Sequence, residues 1–290
     1  MKNEISILGL GSMGTAIAKH LKKKYKIYGY DIKKFNNLKL SKNFFFVKNL
    51  KEIFLKTNIF IIIVLNEDQC QKIFNTFIDL KKRLKINKNC TIINCTTVSP
   101  NWVKKIYKKL QENNFEYIDC PVSGGPKKAL NGKLSLMISS KKNIYKKNLT
   151  LLRDIGNNIY NLGNKIGTGS TVKIINNSLA GIQIISAAEA IILAKKEKIN
   201  LKKIFKIINN SSGHSWMFND RGKRMIEKKY FKPLSRLSIF KKDMKLANKL
   251  IKKHYLNLPL TKTALKIYVK GCRQGFENFD DSAVIKLLNK

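Results

Sequence analysis

The sequence predicts an α/β fold, with an N-terminal Rossmann-type doubly wound sheet followed by an all-helical C-terminal domain. Three observations carry that expectation. Strand-like and helix-like patches alternate through the first half. A glycine-rich turn joins the first strand to the first helix, and beyond residue 163 the pattern is helical throughout. Repeated strand–helix order implies a parallel sheet with helices on both faces. The expected division is 1–164 for the sheet domain and 165–290 for the helical one.

Taken in order, Ile5-Ser6-Ile7-Leu8 reads as a strand and 12–23 as a helix. Segments 26–30 and 44–47 read as strands, and 49–56 as a short helix. The run 59–65 is continuously apolar, which suits a strand covered on both faces and is far too short to span a bilayer. A helix over 68–80 leads to a strand at 91–93. Ser99-Pro100 then offers a capping hydroxyl and a first-turn proline to another helix, and 115–118 closes the series. From 169 to 196 the chain reads as one helix, roughly 40 Å long at 1.5 Å per residue. It carries Asn176, Asn177, Gln183 and Glu189, so it is read as a buried protein helix and not as a membrane span. Helical patches at 201–210, 215–228, 237–254 and 260–274 complete the chain.

The 290 residues are 43% hydrophobic and 9% aromatic with five prolines, a globular composition with a core of ordinary size. A formal net charge of +40 invites a nucleic-acid partner. Two features weigh against one. Only six of the 58 basic residues are arginine, the better reader of phosphates and bases, and the lysines are spread along the whole chain. The basic field is expected instead to attract small anions. Five cysteines, with no Cys-x-x-Cys, argue against a disulfide framework or a zinc site and fit a reducing, cytoplasmic setting. The first strand starts so close to Met1 that no signal peptide is expected.

Gly9-Leu10-Gly11-Ser12-Met13-Gly14 is a G-x-G-x-x-G placed between a strand and a helix, the context that gives the pattern meaning. Gly9 permits the tight turn, Gly11 lets the backbone approach a pyrophosphate, and Gly14 allows close helix–strand packing. The helix N-terminus then offers N–H groups and a positive dipole end to phosphates. Asp31, at the end of the second strand, stands where a carboxylate accepts from an adenosine ribose and repels a 2′-phosphate. This favours NAD over NADP, although Lys33 and Lys34 follow directly and a solvated turn aspartate has the same spacing. Asp119-Cys120-Pro121-Val122-Ser123-Gly124-Gly125 places a hydroxyl and accessible N–H groups in a loop after a strand, which suits a carboxylate ligand or a plain turn. In Gly169-Ser170-Thr171-Val172-Lys173-Ile174-Ile175-Asn176-Asn177, residues Lys173 and Asn177 share one helix face. A buried lysine there could act as an acid or base; on residue type alone, in a chain this rich in lysine, a snorkelling surface side chain is the default.

These motifs, with Lys242-Asp243, occur in the order found in the β-hydroxyacid dehydrogenase family, which the sequence resembles over nearly its whole length. The resemblance implies an NAD-dependent oxidoreductase acting on a small hydroxy acid, without a metal. It implies that Lys173 is the catalytic lysine, that Asn177 orients substrate, and that Ser123, Gly124 and Gly125 bind the substrate carboxylate. Thr97 is then the hydroxyl residue near the nicotinamide, and Lys242 a late lysine that reaches the cofactor. Departures are Cys120 in place of the usual alanine and Ser139-Ser140 where glycine is common. A homodimer or homotetramer is expected from the long helix and the apolar C-terminal helices. The readings set against this one are a different hydroxy acid within the family, and a non-catalytic dinucleotide- or nucleic-acid-binding protein.

Overall fold

The computed structural model describes residues 3–33 and 42–288; Lys34 lies outside them. The chain divides into two compact units, Met1–Lys173 and Ile174–Lys290. The first unit begins with β1 (Glu4–Leu8), α1 (Ser12–Leu21), β2 (Lys26–Tyr30), β3 (Phe44–Phe46), α2 (Leu50–Lys56) and β4 (Ile59–Ile62). It continues through α3 (Glu67–Arg83), β5 (Cys90–Asn94), α4 (Pro100–Glu112) and β6 (Phe115–Asp119). Then come β7 (Val122–Ser123), α5 (Gly125–Leu130), β8 (Ser135–Ile138), α6 (Lys142–Ile155) and β9 (Asn158–Asn161). The long helix α7 (Thr168–Lys196) starts in this unit, so the boundary between the two compact units falls inside a helix.

Strands β1 to β6 form one parallel sheet in the order β3-β2-β1-β4-β5-β6. The order reverses between β1 and β4, and a doubly wound sheet offers its ligand crevice at the carboxyl ends of the strands at that point. Alternation along the strands fills both faces. Ile5, Ile7, Ile27, Ile61, Ile93 and Ile118 pack on one side with α1 and α6. Leu8, Tyr28, Phe60, Ile62, Ile92 and Tyr117 pack on the other with α2, α3 and α4. Phe54, Phe60 and Phe77 cluster there with ring centroids 4.6–5.9 Å apart, each burial stabilising by about 1.5–3 kcal/mol. The one polar inward side chain of β1, Ser6, is satisfied by Thr57 at 2.6 Å.

Two differences from the sequence expectation bear on the site. β4 stops at Ile62, not at residue 65, because Ile63 and Val64 fold over the glycine turn. A second sheet, β7-β8-β9, occupies 122–161, where no strands were expected. Its strands are short and flanked by lysine-rich helices, so the two-residue period is weak there. Ser99 caps α4 as anticipated, its hydroxyl accepting from Trp102 N–H at 3.2 Å, with Pro100 in the first turn.

The second unit is helical: α8 (Leu201–Asn209), a π-helical turn Phe218–Gly222, α9 (Lys223–Ile226), α10 (Leu237–Lys253), α11 (Pro259–Arg273), a 3-10 turn Asp281–Val284 and α12 (Ile285–Leu288). Its core gathers Ile184, Ala188, Ile191, Phe240, Met244 and Tyr268. Among the described helices α7 alone is long and apolar enough to cross a bilayer by length and composition. Half of its most apolar window is buried within the protein, and Lys173 and Asn177 are buried too, as in a core helix.

Candidate active site

The glycine turn follows β1 directly. Gly9 has φ +97°, and a Cβ there would sit 2.3 Å from the Ile63 carbonyl oxygen. A Cβ on Gly14 would lie 1.8 Å from the Gly9 carbonyl oxygen. Both positions therefore require glycine for the fold itself. Gly11 differs: it is exposed, its φ is −63°, and a Cβ there meets nothing within 4 Å. None of the described residues demands glycine at that point, and the backbone there is open to close approach by a ligand. No side chain caps α1 and no acidic residue stands in its first turn, so the N–H groups and positive dipole end face outward. These residues fit a dinucleotide pyrophosphate.

Asp31 stands just past β2. One carboxylate oxygen accepts from Leu10 N–H at 2.7 Å and the other from Lys33 N–H at 2.9 Å. The side chain thus ties the second strand to the glycine turn, and the lone pairs left over are available to a ribose. Thr97 lies half-buried in the segment after β5. Next to it, the Thr96 hydroxyl accepts from Val64 N–H at 3.0 Å, joining that segment to the one after β4.

Ser123–Gly125 is not the open loop its composition suggested. Ser123 ends β7 and Gly125 starts α5, and the turn between them needs φ +131° at Gly124 and +74° at Gly125. Gly125 has open space around its Cβ position. Cys120 is fully buried, and its hydrogen bond with Cys95 together with burial pushes its thiol far up, so it offers no thiolate nucleophile.

Asp119 carries more of the geometry than its place in the motif indicated. Its carboxylate is wholly buried. Oδ1 accepts from the Ser170 hydroxyl at 2.6 Å, and Oδ2 accepts from Ser170 N–H at 2.9 Å and the Ser139 hydroxyl at 3.0 Å. Burial pushes the carboxyl above its usual range, against the pull of these donors. Lys173 follows on the same helix and is 7% exposed, buried as its apolar neighbours suggest and against the surface position that lysine abundance alone favours.

In the second unit, Asn177 is 8% exposed and donates from Nδ2 to Asp243 Oδ2 at 2.7 Å. Because a carboxylate can only accept, this bond fixes which way the amide points; Oδ1 accepts from Asn176 at 3.1 Å. Lys242 Nζ lies 2.8 Å from Asp243 Oδ1, a charge pairing that is not aligned as a hydrogen bond. Asp243 is therefore the common partner of Asn177 and Lys242. The sequence offered only its adjacency to Lys242; the contact with Asn177 crosses 66 positions.

A glycine turn open to a pyrophosphate, at the switch point of a parallel sheet and followed by a helical unit, defines a dinucleotide-dependent oxidoreductase. Residues 4–163 match the NAD-binding domain of 6-phosphogluconate dehydrogenase, and 167–288 match the NAD-binding region of NADP-dependent 3-hydroxyisobutyrate dehydrogenase. L-threonate dehydrogenase of Haemophilus influenzae is 32% identical over 98% of this chain and 95% of its own. The 2-(hydroxymethyl)glutarate dehydrogenase of Eubacterium barkeri is 29% identical over 98% and 94%. A crystal structure of 3-hydroxyisobutyrate dehydrogenase from Salmonella typhimurium superposes with a TM-score of 0.89 at 30% identity, covering 99% of this chain and all of that one. The chain belongs to the 3-hydroxyisobutyrate dehydrogenase family of hydroxyacid dehydrogenases.

Proposed function

We propose that the protein oxidises L-threonate at C2 to 2-dehydro-L-erythronate, with NAD as the acceptor and Lys173 as the acid/base. The observation that carries the reading is the burial of Lys173 at 7% exposure, in the same compact unit as the glycine turn and the Ser123–Gly125 turn. When bound, the nicotinamide supplies the two-electron acceptor. Lys173 Nζ takes the substrate hydroxyl proton during oxidation and returns it during reduction. The Ser123 hydroxyl and the N–H groups of Gly124 and Gly125 hold the carboxylate, which fixes the carbon presented for transfer. Asn177, its amide set by Asp243, orients the reacting hydroxyl. Gly9–Gly14 cradles the pyrophosphate, Thr97 stands by the nicotinamide, and Lys242 adds positive charge for the cofactor. The functional division is 1–164 for cofactor and 165–290 for substrate and self-association.

NAD is preferred on the strength of Asp31, whose carboxylate disfavours a 2′-phosphate. A kcat/KM for NADP equal to that for NAD would remove this preference. Substrate choice leans on the L-threonate dehydrogenase relatives. Because similarly distant relatives act on other hydroxy acids, 3-hydroxyisobutyrate is the second reading. Following NAD reduction with L-threonate, D-threonate, 3-hydroxyisobutyrate, D-glycerate and 4-hydroxybutyrate decides between them: L-threonate should have the highest kcat/KM, and a higher value for another acid reassigns the substrate. Ile175, Leu179 and Leu193 on α7 are 59, 58 and 64% exposed, an apolar face suited to a homodimer or homotetramer. Sedimentation equilibrium should give a multiple of the 33.3 kDa chain mass, and a monomer contradicts that part.

A further inference from the structure

We infer that Asp119 is the positioning residue of the site: its buried carboxylate locks the first turn of α7 to the end of β6, and so sets Lys173 against the Ser123–Gly125 turn. The inference rests on the reading of Lys173 as the acid/base. Asp119 closes β6, and only Cys120, Pro121 and Val122 separate it from Ser123. At its other end the carboxylate holds Ser170 through both the N–H at 2.9 Å and the hydroxyl at 2.6 Å. Ser170 and Lys173 stand three apart on a helix, so they share a face, and any shift of Ser170 is passed to Lys173 with little loss. One carboxylate thus joins the two groups whose separation decides how a substrate lies.

The environment supports this role over that of a surface cap. Asp119 is 0% exposed, and it is held by the uncharged side chains of Ser139 and Ser170, in a chain with 58 basic residues and 18 acidic ones. An ionised carboxylate in such a place is costly unless every lone pair is engaged. The donors are two hydroxyls and the N–H groups of Gly167 and Ser170 at a helix start, whose positive dipole end supplies balancing charge. Helix and strands are also pressed together: a Cβ on Gly169 would lie 2.3 Å from the Met137 carbonyl oxygen and 3.1 Å from Asp119 Oδ2. Ser139 adds a further donor, from the strip beyond β8. The junction therefore has one backbone course, and an amide at its centre would lose the charge and leave a single orientation, with its N–H₂ on the Ser170 hydroxyl and its oxygen on the Ser170 N–H.

The test compares Asp119→Asn, Ser170→Ala and Lys173→Ala with the unsubstituted protein, using NAD and whichever of the five hydroxy acids is oxidised fastest. In Asp119→Asn, kcat should fall by about tenfold or more, and in Ser170→Ala by about threefold. The KM for NAD should stay within about twofold in both, since the glycine turn is untouched. The acid limb of the kcat/KM profile should also move in Asp119→Asn, because the group that titrates there has been displaced. A purely structural cap gives another pattern: a lower melting temperature, with kcat and the pH limb unchanged in the folded protein. That pattern overturns the inference. If Asp119→Asn does not fold, Ser170→Ala decides by kcat and KM alone. Should Lys173→Ala keep its rate, the acid/base reading fails; should it lose its rate while the Asp119 and Ser170 variants keep theirs, only the positioning role fails.

Discussion

In the first unit Asp31 and Asp119 are held by backbone N–H groups and hydroxyls, whereas in the second Asp281 is held by the guanidinium of Arg221, and Asp280 by that of Arg224 together with the Leu234 and Ser282 N–H groups and the Ser282 hydroxyl. Both Asp119 and Asp281 are fully buried, and burial pushes both carboxyls up. Their partners differ in what they can hold. Neutral donors hold a carboxylate by single bonds to several groups, as Asp31 is held by Leu10 and Lys33 and Asp119 by Ser139 and Ser170. A guanidinium fork welds distant segments: Arg221 gives Asp281 two bonds, at 2.8 and 2.9 Å, across 60 positions. Two of only six arginines in the chain serve this network, where lysine could not reproduce the bidentate geometry. Asp119 thus fixes the start of α7 in one unit, and Arg221 with Asp281 joins the π-helical turn to the 3-10 turn in the other.

The largest expected effect separates the units by stability. Arg221→Ala leaves Asp281 buried without its partner and should cost about 3–5 kcal/mol in urea unfolding. Arg221→Lys should recover less than half of that loss, and full recovery would show that the fork geometry is irrelevant. Next comes a contrast within the glycine turn. Gly14→Ala drives a Cβ into the Gly9 carbonyl and should cost about 2–3 kcal/mol. Gly11→Ala meets open space, so stability should change by no more than about 0.5 kcal/mol while the KM for NAD rises about tenfold. Equal stability losses at the two positions would break the distinction between a glycine kept for packing and one kept for a ligand.

A smaller effect is expected at Asp31. Asp31→Ala removes the acceptor of two backbone N–H groups and should cost about 1–2 kcal/mol. It should also lower the ratio of kcat/KM for NAD over NADP about tenfold, and an unchanged ratio would leave Asp31 with only its structural contacts. The smallest effect depends on pH. Asp154 is partly raised by burial, but Lys24 and the Tyr25 hydroxyl outweigh this and hold its carboxyl below the usual range. A lowered folded-state pKa gives stability that is present above the unfolded value of about 3.9 and is lost as pH falls through the folded one. Asp154→Asn should therefore cost about 0.5–1 kcal/mol at neutral pH, and the difference from the unsubstituted protein should close in acid. A difference that persists in acid would point to packing rather than charge.

The parts of the fold set by local pattern were legible in the sequence. The first strand, the Ser99-Pro100 cap and the long helix from 169 to 196 follow from apolar period and capping chemistry that act over a few residues. The strands in 122–161 were not, because four-residue strands bounded by lysine-rich helices carry too little alternation. The sequence nominated candidate residues, but not what holds them. Asp119 meets Ser170 across 51 positions and Asn177 meets Asp243 across 66, and no local signal encodes such a contact. Burial of Lys173 was half legible: its apolar neighbours Val172, Ile174 and Ile175 mark a buried helix, while in a lysine-rich chain the residue type alone favours the surface.

Lys173→Ala, purified and shown by circular dichroism to be folded, tests the account most directly through its kcat with NAD and the best hydroxy acid of the five. The account predicts a rate about 10²–10⁴-fold below that of the unsubstituted protein. A rate within about tenfold of it would mean that the proton is handled elsewhere.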